Sequence, residues 1–109
     1  MNDRKERPIP TRAPSSVGRR AKSLFWASVR GCLVKFHSYP KNRARIEAAS
    51  LRGKIERLPR EVDGDVIYHD EPFYVACDVA GMHDPEAQSR LLEANAEAYD
   101  TLIGEADPR

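Results

Sequence analysis

The sequence predicts a small, mainly α-helical domain of three or four helices with one short β-hairpin or strand, preceded by a disordered basic N-terminal arm. Three observations carry this. Apolar residues recur at spacings of three and four through residues 18–39 and 85–103. Pro, Asp-Pro and Gly stand where helices should start or stop. The chain also divides by charge: residues 1–60 hold 16 Lys and Arg against 4 Asp and Glu, a balance of +12, whereas residues 61–109 hold 2 against 13, a balance of −11. The formal net charge of +1 conceals that division.

A chain of 109 residues is one domain's worth. Its hydrophobic share of 40% allows a core, and its charged share of 32%, above the usual figure of about 25%, implies a heavily ionised surface. Residues 1–17 carry Pro8, Pro10, Pro14, Ser15 and Ser16 among Arg4, Lys5, Arg7 and Arg12. Such a stretch buries too little surface to offset its ordering entropy, so it is expected to be a disordered arm. Residues 18–104 then form the single domain, with 18–60 its basic helical half and 61–104 its acidic half, and 105–109 a tail.

The first helix is expected from Gly18 to about Tyr39, ended by Pro40, whose ring disfavours a helical residue before it. At about 100° per residue, Ala21, Phe25, Val29, Cys32 and Phe36 share a stripe that should face the core. Arg19, Lys22, Trp26, Arg30 and His37 fall together about a third of a turn away, which places an aromatic ring within a basic row. A second helix is expected from Lys41 or Asn42 to about Leu58, with Ile46, Ala49, Leu51, Ile55 and Leu58 as its apolar positions. Gly53 and Pro59 weaken its end, which leaves Lys54 to Leu58 readable as helix or strand.

Asp63-Gly64 is the dipeptide of a type I′ hairpin turn, and Val66-Ile67-Tyr68 reads as a strand. Asp70-Glu71-Pro72 starts a third helix, Pro72 to about Ala80, with Phe73, Ala76, Cys77 and Ala80 inward and Gly81 as its stop. Asp84-Pro85 starts the last, from Pro85 to Ile103, with Leu91, Leu92, Asn95, Ala98, Tyr99 and Leu102 inward and Gly104 as its close.

Several function classes fall away at this stage. The longest apolar candidate, Leu24 to Phe36, is interrupted by Arg30 and Lys35 and falls short of the roughly 20 residues that span a membrane. Arg19-Arg20 ahead of Leu24-Phe25-Trp26 has the look of a twin-arginine signal, but Arg30 breaks the apolar run and no small-residue cleavage site follows it. The 2 cysteines are too few for a disulfide framework, so a cytoplasmic protein with two small buried hydrophobes is expected. Cys32, His37, His69, Cys77 and His83 are zinc-type ligands whose spacings match no closed site, so no metal and no cofactor is expected.

The residues favour a non-catalytic, intracellular adaptor or accessory protein that works by charge-driven protein–protein association. Its candidate binding residues are Arg19, Lys22, Trp26, Arg30, Lys41, Arg43 and Arg45, with an acidic protein surface or a second copy of the chain as partner. The alternative is binding of RNA or DNA by the same basic half, with Trp26 stacking on a base. Membrane-surface binding through Leu24, Phe25, Trp26, Leu33 and Phe36 competes with the need for those residues in the core. Cys77-Asp78 with His83 is the makeup of a thiol nucleophile and base, although a Cys amid Val75, Ala76 and Val79 is expected to be buried and inert. Arg30-x6-His37 resembles the Arg-x4–6-His motif of HEPN ribonucleases, small helical domains that pair to build a composite site. That resemblance covers eight residues and implies Arg30 and His37 as the catalytic pair, with Gly31 where the family commonly has a polar residue.

Overall fold

A computed structural model of the chain describes residues 18–59, 62 and 64–106. The elements run α1 Arg19–His37, α2 Lys41–Glu56, a 3-10 turn Gly64–His69, α3 Pro72–Val79, α4 Pro85–Ala94 and α5 Ala96–Ala106. The expected basic arm of residues 1–17, Asp63 of the Asp-Gly turn and the last three residues of the expected tail lie outside the described residues.

Helix α1 is the axis of the domain: α2, α3 and α5 all pack on it. A helix covered on three sides buries a wider arc than an amphipathic surface helix. This is why Trp26 and Leu33 are buried beside Phe25, Val29 and Cys32, while Ala21, expected inward, is exposed. Trp26 is 1% exposed. Its indole N–H donates to the Tyr68 hydroxyl at 3.0 Å, and Phe25 and Tyr68 meet edge to face at 5.0 Å between ring centres. A second aromatic group, Phe36, Phe73, Tyr74 and Tyr99, is centred on Phe73.

The turn into α2 is made by Ser38, whose φ of 60° is left-handed, with Pro40 leading into Lys41. The link is short, so α2 folds back antiparallel to α1. Its buried residues are Ala44 and Ala48, with Leu51 and Ile55 continuing the stripe half-buried. Small side chains let the two helix backbones approach closely. Of the expected apolar positions, Ile46 and Ala49 face outward: Ile46 is 58% exposed, and Ala49 is exposed too. The segment left open between helix and strand is helical through Glu56, and Arg57 caps it.

No strand occurs among the described residues, and the expected hairpin is replaced by the 3-10 turn. A lone strand needs a partner for its backbone groups, and none is at hand. In the turn, Ile67 and Tyr68 reach the core while Val66 stays 62% exposed. Gly64 sits against α2, where a side-chain β-carbon would lie 3.3 Å from the Ile55 carbonyl oxygen.

Helix α3 starts on Pro72 and ends as expected on Gly81, at φ +87°. Met82 N–H bonds to Cys77 O at 2.8 Å and Gly81 N–H to Asp78 O at 3.1 Å, the paired bonds of a Schellman stop. Asp84 caps α4 through Glu86 N–H, with Pro85 at the first helical position. The single final helix expected over 85–103 is instead two, broken at Asn95, so the described residues hold five α-helices rather than three or four. Asn95 turns its amide back onto Leu91 O at 2.9 Å, competing with the helix for that carbonyl. Gly104 does not end α5, which reaches Ala106, two residues into the expected tail.

Candidate binding surface on the first two helices

Both helices of the basic half begin against the usual electrostatic rule. The N-terminal end of a helix carries about half a positive charge, so carboxylates favour it and cations do not. Yet α1 opens with Arg19, Arg20 and Lys22, and α2 with Lys41 and Arg43. Neither has an acidic residue in its first turn or a side-chain cap, since Gly18 and Pro40 occupy those places. Helix α1 has five Lys and Arg and no carboxylate, and α2 five against two, Glu47 and Glu56.

The structure divides the expected site residues rather than gathering them. Because α1 and α2 are antiparallel, Arg19 and Lys22 lie at one end of the hairpin and Lys41, Arg43 and Arg45 at the other. The length of α1 separates the groups, about 28 Å at 1.5 Å per residue. Arg30 is half-buried midway along α1. Lys22 is engaged within the fold, 3.8 Å from Asp65 and 5.5 Å from the centre of the Tyr68 ring. Arg43 lies 4.4 Å over the Tyr39 ring and 3.8 Å from Glu47. Arg45 donates to Asn42 Oδ1 at 2.7 Å, a contact that leaves its charge uncompensated by that partner. Trp26 departs from expectation: packed in the core and bonded to Tyr68, it has no open face on which a base could stack.

The outer face of α2 shows what the sequence reading missed. Ile46, Ala49, Ser50 and Gly53, at spacings of three, four and seven, form a second stripe of aliphatic and small residues opposite the Ala44 and Ala48 stripe. Arg45 and Arg52 border it on one edge and Arg43 and Lys54 on the other, and the Arg57 guanidinium lies against Gly53 at its end. Arg52 is paired with Glu56 at 3.0 Å, while Arg45, Lys54 and Arg57 are exposed. The signal was present in the sequence: α2 has apolar residues at too many positions for one stripe. What was missing was knowledge of which stripe meets α1.

The catalytic alternatives find little chemistry here. Burial holds the His37 imidazole below its ordinary pKa of 6.5, and its Nε2 is enclosed with no hydrogen-bond partner. An enclosed nitrogen does not reach a substrate, so Arg30 and His37 do not present the open acid–base pair that the HEPN resemblance implies. Burial pushes the Cys77 thiol up to about 11 and the Cys32 thiol up to about 12, so neither is a thiolate near neutral pH. His83 Nδ1 is 3.7 Å from Asp78 Oδ1 on the exposed surface, apart from the buried Cys77 sulfur. Among the described residues, no three His, Cys, Asp or Glu side chains gather as a metal site requires, and no helix is long and apolar enough to cross a membrane. No protein-family model matches the chain, and no curated protein or solved structure is detectably similar to it.

Proposed function

We propose that this protein is a non-catalytic binding module whose α2 outer face engages an acidic protein surface. The observation that carries the reading is the exposed stripe of Ile46, Ala49 and Ser50 bordered by Arg43, Arg45 and Lys54. A stripe of that width suits an amphipathic helix, which lays its aliphatic side chains along Ile46 and Ala49 and sets carboxylates beside the cations. Charges at the rim steer encounter, and the aliphatic centre supplies contact area. Arg19 and Lys22, at the far end of the hairpin, extend the positive field without belonging to the same patch.

Nucleic acid is the competing occupant. The exposed cations favour it, but the burial of Trp26 removes the aromatic ring that reading relied on for stacking, and α2 has two carboxylates among its five cations. Anisotropy titrations of the full chain against a fluorescent poly-glutamate peptide, a structured RNA and a DNA duplex, each at about 50 and 200 mM salt, separate the two. The protein reading expects saturable peptide binding that Ile46→Asp weakens. Indifference to Ile46→Asp, together with RNA or DNA binding that falls by orders of magnitude over that salt range, overturns it in favour of nucleic acid.

A further inference from the structure

The acidic half carries a surface that complements α2. Helix α5 exposes Ala96, Glu97, Asp100, Thr101, Gly104 and Glu105, three carboxylates among small side chains with no Lys or Arg on the helix. Glu93, exposed at the end of α4, adds a fourth carboxylate. The outer face of α2 has the opposite sign: its cations border a stripe of Ile46, Ala49 and Ser50, whereas on α5 Asp100 and Glu97 stand in the middle of the exposed face. The two faces do not meet within one molecule: α2 and α5 each pack on α1, and the residues of both faces are exposed.

We infer that the α2 face of one molecule takes the α5 face of a second copy of this chain. This rests on the reading of α2 as a binding surface and names its occupant. A chain of net charge +1 has little overall charge with which to repel another copy, while its separated halves orient an approaching molecule basic side to acidic side. The contact joins two different patches, so it either closes as a two-fold pair, α2 on α5 twice over, or runs head to tail. Run head to tail, it leaves a free α2 face at one end and a free α5 face at the other and extends into a ring or a chain; either way association grows with concentration. Asp100, midway along the Ala96, Asp100 and Gly104 row of α5, and Glu97 beside it would meet Arg45 and Lys54, the cations that border Ile46 and Ala49 on α2.

The test uses the full chain and two charge-reversed variants, Arg45→Glu with Lys54→Glu, and Glu97→Lys with Asp100→Lys. All four positions are exposed, and circular dichroism of each variant verifies that it folds. In sedimentation velocity at about 50 mM salt, the wild-type chain is expected to sediment faster as concentration rises and to fall to monomer at about 500 mM, where the screening length is a few ångströms. Each folded variant alone is expected to be monomeric at low salt, and an equal mixture of the two to form a complex. A wild-type chain that stays monomeric at low salt overturns the inference, as does association that persists in both variants. Should either variant fail to fold, Ile46→Asp takes its place, with loss of wild-type association as the expected result and its retention overturning the inference. A monomeric chain that still binds poly-glutamate through α2 refutes the second copy as occupant and leaves the binding-module reading standing. A monomeric chain that binds no acidic peptide refutes both.

Discussion

In the acidic half, polar side chains hold the fold together. The Tyr99 hydroxyl donates to Glu71 Oε1 at 2.7 Å and accepts from Phe73 N–H at 3.4 Å, tying α5 to the start of α3. Gln88, buried on α4, donates to Asp78 Oδ1 at 2.9 Å and to Met82 O at 2.7 Å, and Asp84 caps the same helix. In the basic half the charged groups have few such duties among the described residues: α2 packs on α1 with Ala44 and Ala48 buried, and most cations of α2 are exposed. Charges of opposite sign in the two halves thus serve different ends among the described residues. Lys22 with Asp65 joins the two halves, but Arg43 with Glu47, Arg52 with Glu56 and Arg90 with Glu86 pair within their own helices. Exposed pairs of this kind contribute little, about 0–1 kcal/mol each.

The comparison can be tested from its strongest effect downward. Phe73, fully buried where α1, α3 and α5 meet, belongs to the core on which both halves depend. Phe73→Ala is expected to lower stability by about 3–5 kcal/mol in urea denaturation, and a near-neutral result would mean that the two halves do not share a core. Tyr99→Phe keeps the ring and deletes the hydroxyl, leaving Phe73 N–H short of a partner and Glu71 without its donor. A loss of about 1.5–3 kcal/mol is expected, since the bond is to a charged group. A loss below about 0.5 kcal/mol would put the acidic half's polar contacts on a par with exposed pairs.

His37 is a polar group of the basic half with a structural consequence. Its folded pKa lies below the ordinary 6.5 because burial disfavours the charged ring. The unfolded chain therefore takes up a proton near pH 6.5 while the folded chain takes it up only at lower pH. The stability this group confers is complete above pH 6.5 and is lost as pH falls through the folded value. Urea midpoints measured between about pH 7 and 5 should fall, and His37→Gln should flatten that slope; an unchanged slope would remove His37 from the account.

Much of the fold was legible because its punctuation is chemical and local. Pro40, Pro72, Asp84-Pro85 and Gly81 each act through their own backbone restriction or cap, and the structure puts helix boundaries beside all of them. What the sequence did not disclose depends on neighbours. Trp26 and Leu33 are buried because three helices surround α1, which no stripe on α1 alone reveals. Val66-Ile67-Tyr68 has strand-forming residues, but Tyr68 is held by Trp26 and Phe25, and a turn delivers it there. Asn95 sits at a position with helical spacing, and its amide breaks the helix all the same. At the binding surface, the basic character of residues 19–45 was legible, whereas the outward stripe of α2 was not. Either Ile46 or Ala44 and Ala48 can face α1 on spacing alone, and the smaller pair wins because it permits closer packing.

The smallest stability effect is the most informative, because it concerns side chains assigned to binding rather than folding. Arg45→Glu with Lys54→Glu should change stability by no more than about 0.5 kcal/mol, as substitutions at exposed positions usually do. The decisive measurement is the affinity of that folded double variant for the poly-glutamate probe at about 50 mM salt, set against the wild-type chain. The account predicts a loss of at least about tenfold, which corresponds to roughly 1.4 kcal/mol of binding free energy. Undiminished affinity in a variant that melts like the wild type would contradict the assignment of α2 as the binding surface.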